Sequence, residues 1–328
     1  MTNTKTNRET VHQTPRAEEL PAESRKTPDF SKFNRNDSYK IPSIDTGKDR
    51  TGVDKESRKR LSKNQLAHLD TRLSGRDKDI LFSIQSYRYL MSRQIQRLLF
   101  TDAATPSAAL RATNRNLKKL KELGLITSLS RRIGGVRSGS GSYTWYLTHA
   151  GERLLRLHGE TRSSSTQFDP SPYFLAHTLA VAETAIQLTE ISRKSQLELK
   201  ALQAEPGCWR SYSEYGTLVS LKPDLYAITI SGEYEDRYFL EVDLSTESIA
   251  RIIEKCERYH KYYLSGIEQE ITGVFPLTVW IVPTENRKNK LIESLKPAFD
   301  KRPKLFAVIT TNELEHLICD GGDNRMLC

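Results

Sequence analysis

Apolar residues are sparse over the first 60 positions, then recur every three or four residues, and beyond about residue 197 fall into alternating runs. Each change of pattern predicts a change of element, because side chains repeat every 3.6 residues on a helix and every second residue on a strand. Asp77–Tyr87 carries Ile80, Leu81 and Ile84 at helical spacing, and Ser92 is a candidate N-cap for a second helix, Arg93–Phe100, with Ile95, Leu98 and Leu99 inward. Pro106 and Ser107 open a longer helix that runs to about Leu123 and stops at Gly124, with Leu110, Leu117, Leu120 and Leu123 facing in. Leu125–Arg132, a Gly/Ser/Arg loop over 133–142 and Tyr143–Thr148 then predict a hairpin, and a further helix follows it. That order of elements is the order of a winged helix.

The second half begins with a helix over His177–Ser192 that carries Glu183, a candidate supporting carboxylate or an ordinary solvated acid. Strands are predicted at Leu197–Ala204, Leu218–Ile230 and Tyr238–Leu244, the last two joined through Ser231-Gly232-Glu233. A helix over Ile249–Leu264, a strand Leu277–Val282, a helix Glu285–Phe299 and a strand Leu305–Thr310 complete it. Helix, three strands, helix, strand is the core order of restriction-endonuclease-like folds. The predicted class is therefore α+β and multidomain, with a winged helix-turn-helix domain followed by an α/β domain of the PD-(D/E)xK type.

Composition places the boundaries. Residues 1–60 are rich in Thr, Asn, Ser, Lys, Asp and Pro and cannot bury enough apolar surface to offset chain entropy, so a disordered tail is expected over 1–70. The winged helix is expected over 75–160, a polar Ser/Pro linker over 161–172, the nuclease-like domain over 173–318 and a short tail over 319–328. The chain has 328 residues and a net charge of +9, distributed as +4 over 1–60, +10 over 71–160 and −5 over 161–328. A basic excess confined to one module suits a module that meets a polyanion beside one that does not.

The alternation in Tyr238–Leu244 puts Phe239, Glu241 and Asp243 on one face and Tyr238, Leu240, Val242 and Leu244 on the other. If the preceding strand pairs with it, Asp224 of Lys222-Pro223-Asp224 lies alongside. Asp224 and Glu241, with Asp243 as a third candidate, then form a carboxylate group able to hold Mg²⁺ or Mn²⁺, which take oxygen ligands and polarise a scissile phosphate. Asp243 stands where such nucleases commonly carry a lysine that offsets developing charge. Lys255, on the following helix, can reach the same space. Because Asp243 replaces the usual lysine, the reading taken is a degenerate nuclease fold kept for DNA clamping or partner docking; the alternative is an active metal-dependent endonuclease, a nickase using Asp224, Glu241, Asp243 and Lys255.

On the long helix of the basic module, Arg111, Thr113, Asn114, Arg115, Lys118 and Lys119 fall largely away from its leucines. Arg and Asn read base edges in the major groove and Lys suits phosphates. Arg131, Arg132 and Arg137 sit in the glycine-rich loop as a candidate wing.

Tyr87-Arg88-Tyr89-Leu90 with Ser92-Arg93-Gln94-Ile95, Arg115-Asn116-Leu117 through Gly124-Leu125-Ile126, and Trp145-Tyr146-Leu147-Thr148 with Gly151 resemble the winged-helix half of replication-relaxation proteins. Phe239-Leu240-Glu241-Val242-Asp243 with Thr246-Glu247, then Lys255 and Tyr259, resemble that family's second half, so the likeness covers roughly 75–315. It implies a DNA-binding protein of bacterial plasmids or integrative mobile elements, acting in replication, relaxation or transfer. The partners expected are double-stranded DNA and replication or transfer proteins of the same element, with a homodimer left open.

Other chemistries find no support in the sequence. The seven histidines form no His-hydrophobe-His cluster, so Tyr259, Tyr262 and Tyr263 read as packing and surface residues rather than relaxase nucleophiles. Thr46-Gly47-Lys48 lacks the upstream glycine of a phosphate-binding loop, and the four cysteines show no paired spacing. Nucleotide, zinc and haem are not expected. With no signal peptide and no apolar run long enough for a membrane span, a cytoplasmic location is expected.

Overall fold

A computed structural model describes residues 61–129, 142–159, 170–299 and 304–320. Ser62 opens α1 (Lys63–Thr71) with a reciprocal cap, accepting from the Gln65 N–H while Gln65 Oε1 accepts from the Ser62 N–H. This helix lies inside the stretch expected to be tail, and its signal is weak because Leu66 alone among its residues is buried. Ser74 and Asp77 form the same reciprocal cap on α2 (Gly75–Tyr87), which buries Ile80, Leu81 and Ile84 as its spacing predicts. After β1 (Leu90–Met91) come α3 (Ser92–Leu99) and α4 (Pro106–Glu122), the latter capped by Thr105 Oγ1. Met91, not Ser92, holds the cap position of α3, because the Ser92 hydroxyl accepts from Trp145 Nε1 at 2.9 Å.

The predicted hairpin forms between β2 (Ile126–Ser128) and β3 (Thr144–Leu147), and β1 adds a third antiparallel strand, in the order β1-β3-β2. Thr148 caps the following α5 (His149–Leu155). Gly151 on that helix lies against the turn between α4 and β2: a Cβ there would stand 2.2 Å from the Leu125 carbonyl oxygen. Gly151→Ala is therefore expected to cost about 1–3 kcal/mol, the range for forcing extra volume into a packed interior, despite alanine's better helix propensity. Urea denaturation of the full chain measures it, and a stabilised variant would show that α5 shifts freely.

Ser171 caps α6 (Pro172–Lys194), so this helix begins five residues before its expected start and inside the stretch read as linker. Pro172 suits its first position, where no N–H is needed. There follow β4 (Glu198–Ala204), a short hairpin of β5 (Arg210–Glu214) and β6 (Thr217–Leu221), then β7 (Leu225–Ser231) and β8 (Tyr234–Val242). The single strand predicted over 218–230 is thus two. Pro223 interrupts it, lacking the N–H a continuous ladder requires, and β6 pairs with β5 in a separate two-stranded sheet. The chain continues through α7 (Ile249–Leu264), α8 (Ile267–Thr272), β9 (Leu277–Val282), α9 (Glu285–Phe299), β10 (Phe306–Thr310) and α10 (Leu314–Asp320).

The main sheet has the order β10-β9-β8-β7-β4, antiparallel across β4, β7 and β8 and parallel across β8, β9 and β10. The expected alternation on β8 holds. Phe239 joins Tyr226, Trp280 and Phe306 under α7 and α9, whereas Tyr238, Leu240 and Val242 join Val279 and Ile281 on the face shared with α6 and α10. Helix α6 serves two cores, because Ala182 and Ile186 pack with Ile80, Ile84 and Ile95 of the amino-terminal part. Arg97 of α3 seals that contact, donating to both carboxylate oxygens of Glu190 at 2.9 and 2.6 Å and also to Glu183. Glu183 is therefore an interface residue, remote from the role of a catalytic support. No helix among the described residues is long and apolar enough to cross a membrane.

Candidate active site and nucleic-acid surface

Pro223 ends one strand and lets the chain turn so that Asp224 meets the end of β8. The Asp224 N–H donates to the Leu240 carbonyl at 3.2 Å, and Asp224 Oδ2 accepts from the Val242 N–H at 2.8 Å. These bonds hold the carboxylate beside Glu241, which is 1% exposed on the α7 face of β8. Lys255 Nζ donates to Glu241 Oε2 at 2.5 Å, and the Tyr259 hydroxyl donates to Oε1. Lys255 and Tyr259 are one turn apart on α7, so a single helix face supplies both partners. Trp280 on β9 lies under the ammonium, 5.6 Å from its ring centre.

His177 completes this group from α6. Its Nε2 donates to the Val242 carbonyl at 3.1 Å and stands 3.4 Å from Asp224 Oδ2. Burial works against its charged form, but Asp224 outweighs that and raises the imidazole above its usual range. Asp224 is affected reciprocally: burial would raise it, yet His177 and the charge of Lys255 hold it below the ordinary carboxylate value. Glu241 goes the other way. Burial, reinforced by the charge of Asp224, pushes it up to about 7 although Lys255 and Tyr259 pull it down. Both acids are buried, but Asp224 has His177 and the Val242 N–H beside it as well as the charge of Lys255, so the cost of burial shows in Glu241.

Asp243 takes no part in the Lys255 contact. Just past the end of β8, its Oδ2 accepts from Arg287 Nε at 2.6 Å and its Oδ1 from the Ser245 N–H at 2.9 Å, while Arg287 also reaches the Glu247 carbonyl at 2.7 Å. Asp243 therefore fastens the start of α9 to the loop before α7. Asp224, Glu241, Asp243 and Lys255 nevertheless line one cavity of about 200 Å³, with His177 and Trp280. Among the described residues, no three His, Cys, Asp or Glu side chains are grouped so as to hold a metal ion. Of the two acids nearest Lys255, Glu241 has both carboxylate oxygens occupied, by Lys255 and Tyr259.

His177, Tyr259 as a hydrogen-bond donor, and Arg287 are the members of this neighbourhood absent from the expected set. Position 177 gave a signal only as a lone histidine near the start of a helix; its nearness to Asp224 depends on how α6 crosses the sheet.

On α4, Arg111, Asn114, Arg115 and Lys118 are exposed in a single stripe at spacings of three and four. Thr113 does not join them: it is fully buried and its hydroxyl donates to the Ala109 carbonyl at 2.8 Å. Lys119 Nζ is turned onto Asp77 at 2.5 Å, and Leu110, expected to face inward, is 41% exposed. Arg131, Arg132 and Arg137 lie outside the described residues.

No curated protein and no solved structure matches this chain. The family model described as Replication-relaxation matches residues 81–278, which spans the α3–α4 region, α6 and the Asp224–Glu241–Lys255 cavity, and the chain belongs to that family.

Proposed function

We propose that this chain binds double-stranded DNA through a winged helix, acting in plasmid replication and relaxation, and that its carboxy-terminal part is a PD-(D/E)xK-type nuclease unit with metal-dependent activity on the phosphodiester backbone. The observation that carries the enzymatic reading is the Lys255–Glu241 contact beside Asp224. Lys255 of α7 reaches the Glu241 carboxylate, which suits it to stand in for the lysine missing from the strand position. Burying two acids and an ammonium is costly, and as pure scaffolding an apolar substitute would be at least as stable.

In this reading Asp224 and Glu241 hold a Mg²⁺ or Mn²⁺ ion, which when bound supplies Lewis acidity and a low-pKa water. Lys255 keeps its proton because Glu241 and Asp224 raise its affinity for it, and places a positive charge where the phosphate becomes more negative. Tyr259 and His177 fix the rotamers of the two acids. A clamp without catalysis is the second reading, favoured by the saturation of Glu241 by Lys255 and Tyr259 and by the capture of Asp243 by Arg287.

Conversion of supercoiled plasmid to nicked or linear form with Mg²⁺ or Mn²⁺ separates the two. Cleavage that drops roughly hundredfold or more in Glu241→Gln and Asp224→Asn, with gel-shift binding retained, supports the nuclease. Tight binding with no cleavage in the wild type leaves the clamp. For the winged helix, Arg115→Ala is expected to weaken duplex binding and reduce the slope of log affinity against log salt by about 1. Equal affinity and slope in Arg111→Ala and Arg115→Ala would remove α4 from the interface.

A further inference from the structure

The rim of the cavity carries two part-exposed rings, Tyr173 and Phe174, the second of which meets Tyr89 edge to face with ring centres 6.5 Å apart. Tyr173 and Phe174, in the first turn of α6, are 50% and 39% exposed, and both line the cavity holding Asp224 and Glu241. Thr246 Oγ1 donates to the Tyr173 hydroxyl at 3.1 Å, which links the loop before α7 to α6. Phe174 also lines a second, smaller cavity of about 50 Å³ that shares His177 and Asp224 and has Arg88 and Glu205 in its wall. The Arg88 guanidinium stands 5.9 Å from the centre of the Phe174 ring and 3.8 Å from the Glu205 carboxylate. Arg88 sits at φ 65°, ψ −49°, a backbone conformation unfavourable for a residue with a side chain, at the end of α2.

We infer that these two cavities form one binding path for an unpaired nucleotide, so that the substrate is DNA with a single-stranded segment at the cleft, delivered by duplex held on α4. This inference rests on the proposed nuclease reading for its chemistry, though its binding step does not. The physical case is chemical complementarity. A duplex buries its base faces in its own stack, so exposed aromatic rings beside a phosphate-cleaving group offer it little. An unpaired nucleotide presents a π face to Phe174 or Tyr173 whatever its sequence. Arg88, in the wall of the second cavity beside Phe174, can meet the next phosphate or stack on a base in exchange for Glu205. A continuous duplex also meets mainly acids at the cavity, whereas a base on the aromatic rim adds attraction that the acids do not oppose.

The test uses the full chain and a forked duplex carrying 2-aminopurine at the first unpaired position, beside a blunt duplex of the same sequence, with Ca²⁺ and with EDTA. Wild type is expected to quench 2-aminopurine and to prefer the fork. Phe174→Ala should lose about tenfold in fork affinity and most of the quench. Blunt-duplex affinity should be unchanged, and Phe174→Trp should restore the quench. Equal affinity of wild type for fork and blunt duplex, or a fork preference and quench that survive in both Phe174→Ala and Tyr173→Ala, would overturn the inference. Mg²⁺-dependent cleavage by wild type in that case would leave the nuclease reading standing without it. Quenching that depends on Phe174 in a protein that cuts nothing would uphold the nucleotide path and overturn the nuclease instead.

Discussion

Lys255→Met is expected to lower folding stability by roughly 3–5 kcal/mol above neutral pH and, on the proposed nuclease reading, to abolish cleavage. Methionine keeps the apolar stem against Trp280, so the loss isolates the charge. Glu241, 1% exposed, would retain the Tyr259 hydroxyl but no cation within contact, and Asp224 nearby would repel it. Two further measurements make the result specific. Adding Glu241→Met to Lys255→Met should recover most of the lost stability, because the orphaned charge disappears, while restoring no cleavage. The penalty should also shrink as pH falls, starting from a higher pH than the titration of Glu241 in the wild type, because the variant lacks the Lys255 contact that favours the ionised carboxylate. A Lys255→Met protein as stable as wild type at every pH up to about 9 would mean that Glu241 does not need this cation.

The second large effect is a dependence of stability on pH with an unusual sign for a carboxylate. Glu241 is pushed up to about 7 in the folded protein, against an ordinary value of 4.5, by burial first and by Asp224 after it. Between those values the folded state binds more protons than the unfolded state. The contribution of Glu241 is therefore most favourable at low pH and declines as pH rises from about 4.5 to about 7, by on the order of 3 kcal/mol at 1.36 kcal/mol per pH unit. Asp224, held below its ordinary value, contributes in the opposite sense and in a lower window, losing its share as pH falls through the acid range. Chemical denaturation of wild type and Glu241→Gln from pH 5 to pH 8 separates the two acids. The wild type should lose stability relative to the glutamine variant as pH rises. A flat difference would show that Glu241 titrates alike in both states.

Periodicity carried the elements that are long and amphipathic. The bounds of α7, β9 and α9 agree with the predicted Ile249–Leu264, Leu277–Val282 and Glu285–Phe299, and β8 alternates as read, because each of these elements faces a core on a regular stripe or face. Short or lightly buried elements escaped for the same reason: α1 rests on Leu66, and β1 contributes only two residues to its sheet. Thr113 and Leu110 changed places relative to expectation. Threonine can bury its hydroxyl by returning a hydrogen bond to the preceding turn, so polarity alone misassigned its face.

The site was legible in part. That Glu241 and Asp243 share a side of β8 follows from a period of two, and Lys255 was reachable because the helix that follows must cover that face. The sequence by itself thus determined which residues could meet: the acids, the lysine on the covering helix and the basic stripe on α4. Only the tertiary structure decided which of them do. Arg287 on α9 claims Asp243, Lys119 is spent on Asp77, and His177 arrives at Asp224 from a helix almost fifty residues earlier. Such choices depend on where separate elements cross, and no local pattern records them. Pairing across the fold is settled by packing of apolar faces far from the charges, and the charges then take the nearest partner that burial leaves them.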